Sequence, residues 1–316
     1  MTAFLTGGGG FIGSRLARRL VAGRAAVRAV ARSQASATLL REAGCMVIGV
    51  DLLDRDALAD AARGCDVVYH LAGDYRVGIA DDERAAMEET NVTVAERVMD
   101  AAIDAGVPRI VHVSTVNAFG NTRHRVVDEA YRRPQPYEYV SFYDETKHRA
   151  HLAAHERIAA GAPVLIAMPG GVYGPHDHSS LGGELQRAAD GRLAAVSFGD
   201  LGMNMAHVDD IAAGIELVGT RGRPGEAYVL GGELTTMAEL VRRVAAVAGQ
   251  QPPRLATPTW LVRAAAPLAG LAGRNVGELV SASAGVTYWA TDAKARRELG
   301  YAPRDLEEGL TAVFGR

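Results

Sequence analysis

The chain has 316 residues, 34 Lys plus Arg against 37 Asp plus Glu, a formal net charge of −3 and 48% hydrophobic residues. This balance argues against a general nucleic-acid or anionic-membrane binder, which needs a basic face, and supplies enough apolar residues for a large core. Two cysteines, Cys45 and Cys65, cannot build a disulfide framework or a Cys-based zinc site, and only Lys147 and Lys294 are Lys, the other 32 basic residues being Arg.

Met1–Thr6 runs straight into a glycine cluster without a charged or long apolar leader, so no secretory signal is expected. The longest apolar stretch, Ala264–Ala272, is interrupted by Pro267 and Gly270 and is too short to span a bilayer. A cytoplasmic protein with no membrane partner is expected. Short apolar runs at Ala3–Leu5, Ala25–Ala31, Met46–Val50, Val67–Leu71, Ile110–Val113 and Val164–Met168 alternate with amphipathic segments at Phe11–Ala22, Asp54–Arg63, Glu83–Ala105 and Tyr143–Ala160. This alternation predicts βαβ units and a doubly wound parallel sheet, an α/β fold. Gly23, Gly44, Gly64, Gly106 and Gly161 each follow a helical segment, where a left-handed cap is expected. Beyond Pro169 the pattern loosens. A strand is predicted at Met203–Val208, followed by a helix from Asp209. Another strand falls at Glu226–Leu230 and a helix at Thr236–Ala248. Residues 1–170 are read as a dinucleotide-binding domain to which 203–220 return, and 171–316 as a mainly substrate-binding α/β region.

The first strand opens into Gly7-Gly8-Gly9-Gly10-Phe11-Ile12-Gly13, which satisfies both GxGxxG and GxxGxxG between a strand and a helix. Glycine permits the tight turn and the approach of a pyrophosphate to backbone N–H groups at the helix N-terminus. The second strand ends in Arg32-Ser33, with no carboxylate before Glu42. An Arg there can pair with a 2′-phosphate, so NADP(H) is the expected cofactor, with NAD(H) the alternative. Asp51-Leu52 follows the third strand and Leu71-Ala72 the fourth, both at strand C-termini where ligands bind in such sheets.

Tyr143 and Lys147 form a Tyr-x-x-x-Lys pair on one helix face. A phenol is a poor acid–base near neutral pH, and a neighbouring ammonium favours its phenolate. A Lys at this spacing is informative in a chain where Lys is so rare. Ser114 and Thr115 end the fifth strand, where a hydroxyl can polarise a carbonyl oxygen. His148, His151 and His155 share the Tyr143 helix and read as a solvated or interface face. Lys294 reads as a surface residue without a partner. No metal is expected from His176-Asp177-His178.

Taken together, the chain resembles an extended short-chain dehydrogenase/reductase of the NAD-dependent epimerase/dehydratase superfamily. The resemblance rests on Thr6–Gly13, Asp51-Leu52, His70-Leu71-Ala72, Asn91-Val92, Ser114–Gly120, Tyr143 with Lys147, Pro169–Pro175 and His207–Asp210. It implies Tyr143 as acid–base, Lys147 as its activator and Thr115 as the substrate-orienting hydroxyl, with Ser114 as fallback and Asn91 near the site. It implies cofactor contacts from Gly7, Gly9, Gly10, Phe11, Ile12, Gly13, Arg32, Asp51, Leu52, Leu71, Ala72, Tyr143, Lys147, Pro169 and Val172. It also implies a homodimer through the two long helices. Sugar-nucleotide members carry Arg where this chain has Met168 and Met203. The branch resembled is therefore that of the dihydroflavonol reductases, and the expected activity is NADP(H)-dependent reduction of a small ketone or aldehyde. The alternative is an epimerase or dehydratase with a tightly bound nicotinamide cofactor.

Overall fold

The computed structural model describes residues 1–253, 255–256 and 275–315. The Ala264–Ala272 stretch, with Pro267, lies outside the described residues. In chain order, β1 (Thr2–Thr6) leads into α1 (Phe11–Ala22), β2 (Ala26–Val30) into α2 (Gln34–Glu42), and β3 (Met46–Ile48) into α3 (Arg55–Ala62). β4 (Val67–His70) precedes a long helical run made of α4 (Arg84–Glu88), a π-helical turn at Glu89–Thr93 and α5 (Val94–Asp104). β5 (Ile110–Val113), α6 (Phe142–Ala159) and β6 (Val164–Pro169) follow. Then come β7 (Gly171–Tyr173), α7 (Ser180–Ala189), β8 (Ala195–Val196), β9 (Gly202–His207), α8 (Val208–Arg221) and β10 (Ala227–Leu230). The rest is β11 (Glu233–Thr236), α9 (Met237–Val247), β12 (Leu255–Ala256), α10 (Val276–Ser283), α11 (Ala293–Leu299) and α12 (Leu306–Phe314).

Seven parallel strands form the main sheet in the order β10-β6-β5-β4-β1-β2-β3. Adjacent residues of a strand point to opposite faces. Phe4, Val68, Ile110 and Ile166 therefore pack with Leu58 of α3, Met99 of α5 and Ala150 of α6. Leu5, Tyr69, Val111 and Leu165 pack with Leu16 and Leu20 of α1 and Ile211 and Ile215 of α8. This is the doubly wound Rossmann-like core expected from the alternating pattern. The chain reverses direction of winding between β1 and β4, so a crevice opens at their C-terminal ends. A smaller C-terminal region places α7, α9 and α12 around Leu185, Leu240, Val244 and Leu310, against a second sheet of order β11-β9-β7.

Three local expectations are corrected. Gly44, Gly64, Gly106 and Gly161 adopt positive φ, but Gly23 has φ −75° and the left-handed residue there is Arg24, φ 63°. The stop after α1 thus falls one residue later than its glycine. Lys294 is not a free surface residue: its Nζ donates to Glu226 Oε2 and to the Ala227 carbonyl, both at 2.7 Å, and lies 4.6 Å from the Tyr228 ring centroid. The packing of α11 beside β10 places it there. His148 and His151 are buried, because α6 is covered on more than its sheet-facing side.

Candidate functional site

The glycine turn sits at the β1/β4 crevice. Gly7 has φ +71°, and a Cβ on it would overlap the backbone of Leu71 and Ala72 at the end of β4. A Cβ on Gly13 would overlap the Gly7 carbonyl, whereas one on Gly10 would stop 3.3 Å from it. The turn therefore needs glycine at 7 and 13 for close approach. The first helical bond runs from Ser14 N to Gly10 O, which leaves the N–H groups of Phe11, Ile12 and Gly13 without helical acceptors. Gly10 supplies no side-chain cap, α1 has no acid in its first turn, and Gly9 and Gly10 are exposed. A cradle of free N–H groups with exposed glycine beside it fits the pyrophosphate of a dinucleotide.

Thr115, Tyr143 and Lys147 converge at the C-terminal end of β5. All three are buried, at 8% exposure each. Burial pushes the Tyr143 phenol well above the ordinary tyrosine range, and Tyr75 beside it adds to this. The Thr115 hydroxyl pulls the other way. Thr115 Oγ1 also lies 3.2 Å from Asn117 Oδ1 and 3.5 Å from the Pro169 carbonyl, which brings the end of β6 to the same place. Burial pushes Lys147 down to about 8, and its Nζ donates to the Val113 carbonyl at 3.2 Å. The ammonium is thus held on β5 rather than directly on the phenol. Ser114 is turned away from this group, its Oγ 3.1 Å from His151 Nδ1. Of the two hydroxyls at the strand end, Thr115 is the one that faces Tyr143.

Asn91 lies in the π-helical turn, a feature that often marks functional sites. Its Oδ1 accepts from Asp74 N at 2.7 Å, and its Nδ2 donates to the Asp74 carbonyl at 2.9 Å and to Thr146 Oγ1 at 3.1 Å. It therefore locks the loop after β4 to α6. Behind Lys147, His70 and His112 stack at 5.6 Å, with Thr6 Oγ1 2.7 Å from His70 Nδ1. Burial lowers His70 to about 3 and His112 well below its usual value, in each case reinforced by Lys147.

Other sequence-derived residues are placed less closely. Asp51 is exposed and one carboxylate oxygen accepts from Leu53 N at 3.0 Å; Leu52 and Val172 pack against the two core layers. Met168 is fully buried in the core, and Met203 packs with the C-terminal cluster. Phe142 packs beside Tyr143, while Phe119 and Tyr173 belong to core clusters. The His207–Asp210 motif is structural: His207 Nδ1 accepts from Asp209 N, and Asp210 takes a two-bond fork from Arg304. Sequence reading missed Tyr75, whose ring meets that of Tyr143, and Arg133, which pairs with Asp144.

The sequence profile of the NAD dependent epimerase/dehydratase family matches residues 3–231. The chain belongs to this family. Among curated relatives, the 4-hydroxy-2-methyl-3-oxo-4-farnesyl-3,4-dihydroquinoline-1-oxide ketoreductase of Stigmatella aurantiaca is 30% identical over 99% of this chain and 96% of its own. Among solved structures, gox2253 superposes with a TM-score of 0.83 at 30% identity, covering 99% of this chain and 96% of that one. The NAD-bound dTDP-glucose 4,6-dehydratase DesIV of Streptomyces venezuelae, a double mutant, gives 0.78 at 27% identity over 99% and 96%. This chain is accordingly an NAD(P)-binding enzyme of the epimerase/dehydratase superfamily, and no single branch of it stands out. Among the described residues no helix is long and apolar enough to cross a membrane.

The preference for NADP(H) read from Arg32 is corrected. Both DesIV structures hold NAD. Arg32 itself is exposed in the turn between β2 and α2, where the next residue, Ser33, is occupied in capping α2. In a chain with 32 arginines, an exposed guanidinium at a strand end is an ordinary solvated charge.

Proposed function

We propose that this chain transfers hydride at a carbinol or carbonyl carbon of a small organic substrate with NAD(H), and that Tyr143 moves the proton at the substrate oxygen. The observation that carries this reading is the convergence of buried Thr115, Tyr143 and Lys147 beside the glycine cradle. Gly7, Gly9, Gly10, Phe11, Ile12 and Gly13 would hold the pyrophosphate, with Leu71, Ala72, Pro169 and Val172 along the remaining path. Bound NAD(H) supplies or takes up the hydride. Tyr143 gives its phenolic proton to the oxygen during reduction and takes it back during oxidation. Thr115 holds that oxygen against the phenol. Lys147, near its own titration point, favours the phenolate when charged.

Two outcomes share this half-reaction. Retention of bound NAD with return of the hydride, as in an epimerase or dehydratase, is supported by the likeness to DesIV, a dTDP-glucose 4,6-dehydratase. Net reduction of a ketone, as in the dihydroflavonol-reductase-like branch, is supported by Met168 and Met203, neither of which can pair with a diphosphate. A homodimer through α4–α5 and α6 goes with either outcome and is checked by sedimentation.

The test begins with the nucleotide content of dialysed protein and separate titrations with NADH and NADPH. Stoichiometric retained NAD and no net consumption of NADH with a ketone panel support the first outcome. Consumption of added NADH supports the second. Tyr143→Phe should abolish turnover while leaving NAD binding intact; unchanged turnover overturns the role given to Tyr143.

A further inference from the structure

Tyr75 is 61% exposed, yet its ring meets that of Tyr143 at 4.8 Å between centroids and 80° between planes. An exposed tyrosine in a loop ordinarily turns freely, and here it does not have that freedom on either side. Before it, both backbone groups of Asp74 are held by the Asn91 side chain. After it, Arg76 forks onto Asp74, with bonds of 2.7 and 3.0 Å, and also pairs with Glu83. The loop thus fixes the backbone on both sides of Tyr75, and the ring edge rests on Tyr143 while much of its surface stays open; burial at the phenol end and Asp177 raise its pKa. That arrangement does little for stability, since the ring is not buried; it suits a preorganised binding wall.

The surroundings indicate what the wall would meet. Val77, Ile79, Met87 and Phe142 pack with Tyr143, the residue that the Tyr75 ring meets. The two guanidiniums of this segment are already engaged. Arg76 serves Asp74 and Glu83, while Arg84 lies 3.1 Å from Asp81 and 5.2 Å from the Phe142 ring centroid. A diphosphate reaching this segment would compete with carboxylates already paired to both guanidiniums. A flat uncharged group can stack on Tyr75 without displacing anything.

We propose that Tyr75 is the specificity-determining wall of the substrate site. Its substrate is a neutral carbonyl or carbinol compound with an aromatic or conjugated group beside the reacting carbon. This rests on the reading of Tyr143 as the group that meets the substrate oxygen, and holds for either net outcome of the reaction.

The test is equilibrium binding to NAD-loaded protein of three probes: 1-acetonaphthone, cyclohexyl methyl ketone and UDP-glucose. Wild type should bind 1-acetonaphthone about ten-fold more tightly than the saturated ketone. Tyr75→Ala should remove that preference and Tyr75→Phe should keep it, so that in Tyr75→Ala the saturated ketone loses less affinity than the aromatic one. Tighter binding of UDP-glucose than of the aromatic ketone overturns the proposal, as does an equal loss for both ketones in Tyr75→Ala or no binding of the aromatic probe. Failure of the functional reading is separate: it shows as unchanged turnover in Tyr143→Phe while the Tyr75 preference persists.

Discussion

Arg133 and Asp144 meet in a two-bond fork, Nη1 to Oδ1 and Nη2 to Oδ2 both at 2.7 Å, with side chains 5% and 1% exposed. Asp144 follows Tyr143 in the first turn of α6, and its Oδ2 also accepts from Val140 N at 3.0 Å. Arg133 stacks over Tyr139 at 4.6 Å and lies against Gly120, where a Cβ would come within 2.7 Å of its Cζ. One ion pair thereby joins the segment that carries Thr115 to the helix that carries Tyr143.

Removing one member of this pair leaves a buried charge alone. Arg133→Met should cost about 3–5 kcal/mol of unfolding free energy. Asp144→Leu should cost a similar amount, and the double variant much less than the sum, because no orphaned charge remains. Urea denaturation of the four proteins measures the coupling. Additive losses would show that the two side chains do not act as a unit.

Lys147 gives a pH-dependent signature. Its folded pKa, about 8, lies below the 10.5 of a free lysine because burial disfavours the charged form. Between these values the unfolded chain carries a proton that the native chain has released. Stability from this group therefore rises with pH from about 8 toward 10.5, and at pH 7 the buried ammonium is a cost on the order of 3 kcal/mol. Lys147→Met should flatten the rise between pH 8 and 9.5 in apo protein and raise the unfolding midpoint at pH 7, while abolishing activity. A pH dependence unchanged by the substitution would place the lysine in solvent.

The histidines of the site act in the opposite part of the pH scale. Burial holds His70 and His151 near 3 and His148 near 4, against 6.5 for a free imidazole. The unfolded chain takes up these protons first, so the stability contributed is complete above about pH 6.5 and is lost as the pH falls. His151→Gln can keep the hydrogen bond to Ser114 and removes one such proton. Its unfolding free energy between pH 6 and 4.5 should fall less steeply than that of wild type, by about 1.4 kcal/mol per pH unit. Equal slopes would mean that His151 titrates normally in the folded chain.

The sheet and the cradle were legible because their signals are local. Short apolar runs between amphipathic helices set the parallel sheet, and Gly7 and Gly13 are required by contacts within or beside one turn. The Tyr143–Lys147 pair was legible from helical spacing. What could not be read depends on distant segments meeting. Arg133 and Asp144 are eleven residues apart across an irregular connection, and the Tyr75 ring meets that of Tyr143 although α4 and α5 stand between them in the chain. Lys294 looked idle because its partners stand on β10. Arg32 misled for a different reason: an exposed charge at a strand end does not by itself say which dinucleotide is bound.

The glycine turn offers a graded test of the cradle. A methyl group at position 13 would run into the Gly7 carbonyl and prise α1 from β1, whereas one at position 10 would sit 3.3 Å from the same atom, a distance that a small shift can absorb. Gly13→Ala should therefore lose NAD binding and cost roughly 1–3 kcal/mol of stability through overpacking. Gly10→Ala should remain as stable as wild type within about 1 kcal/mol, and weaken NAD only by narrowing the approach to the free N–H groups. Calorimetric titration with NAD and thermal unfolding of both variants separate the two effects. Equal losses in both would mean that the turn binds through its openness alone, and intact binding in Gly13→Ala would remove the cradle from the proposed site.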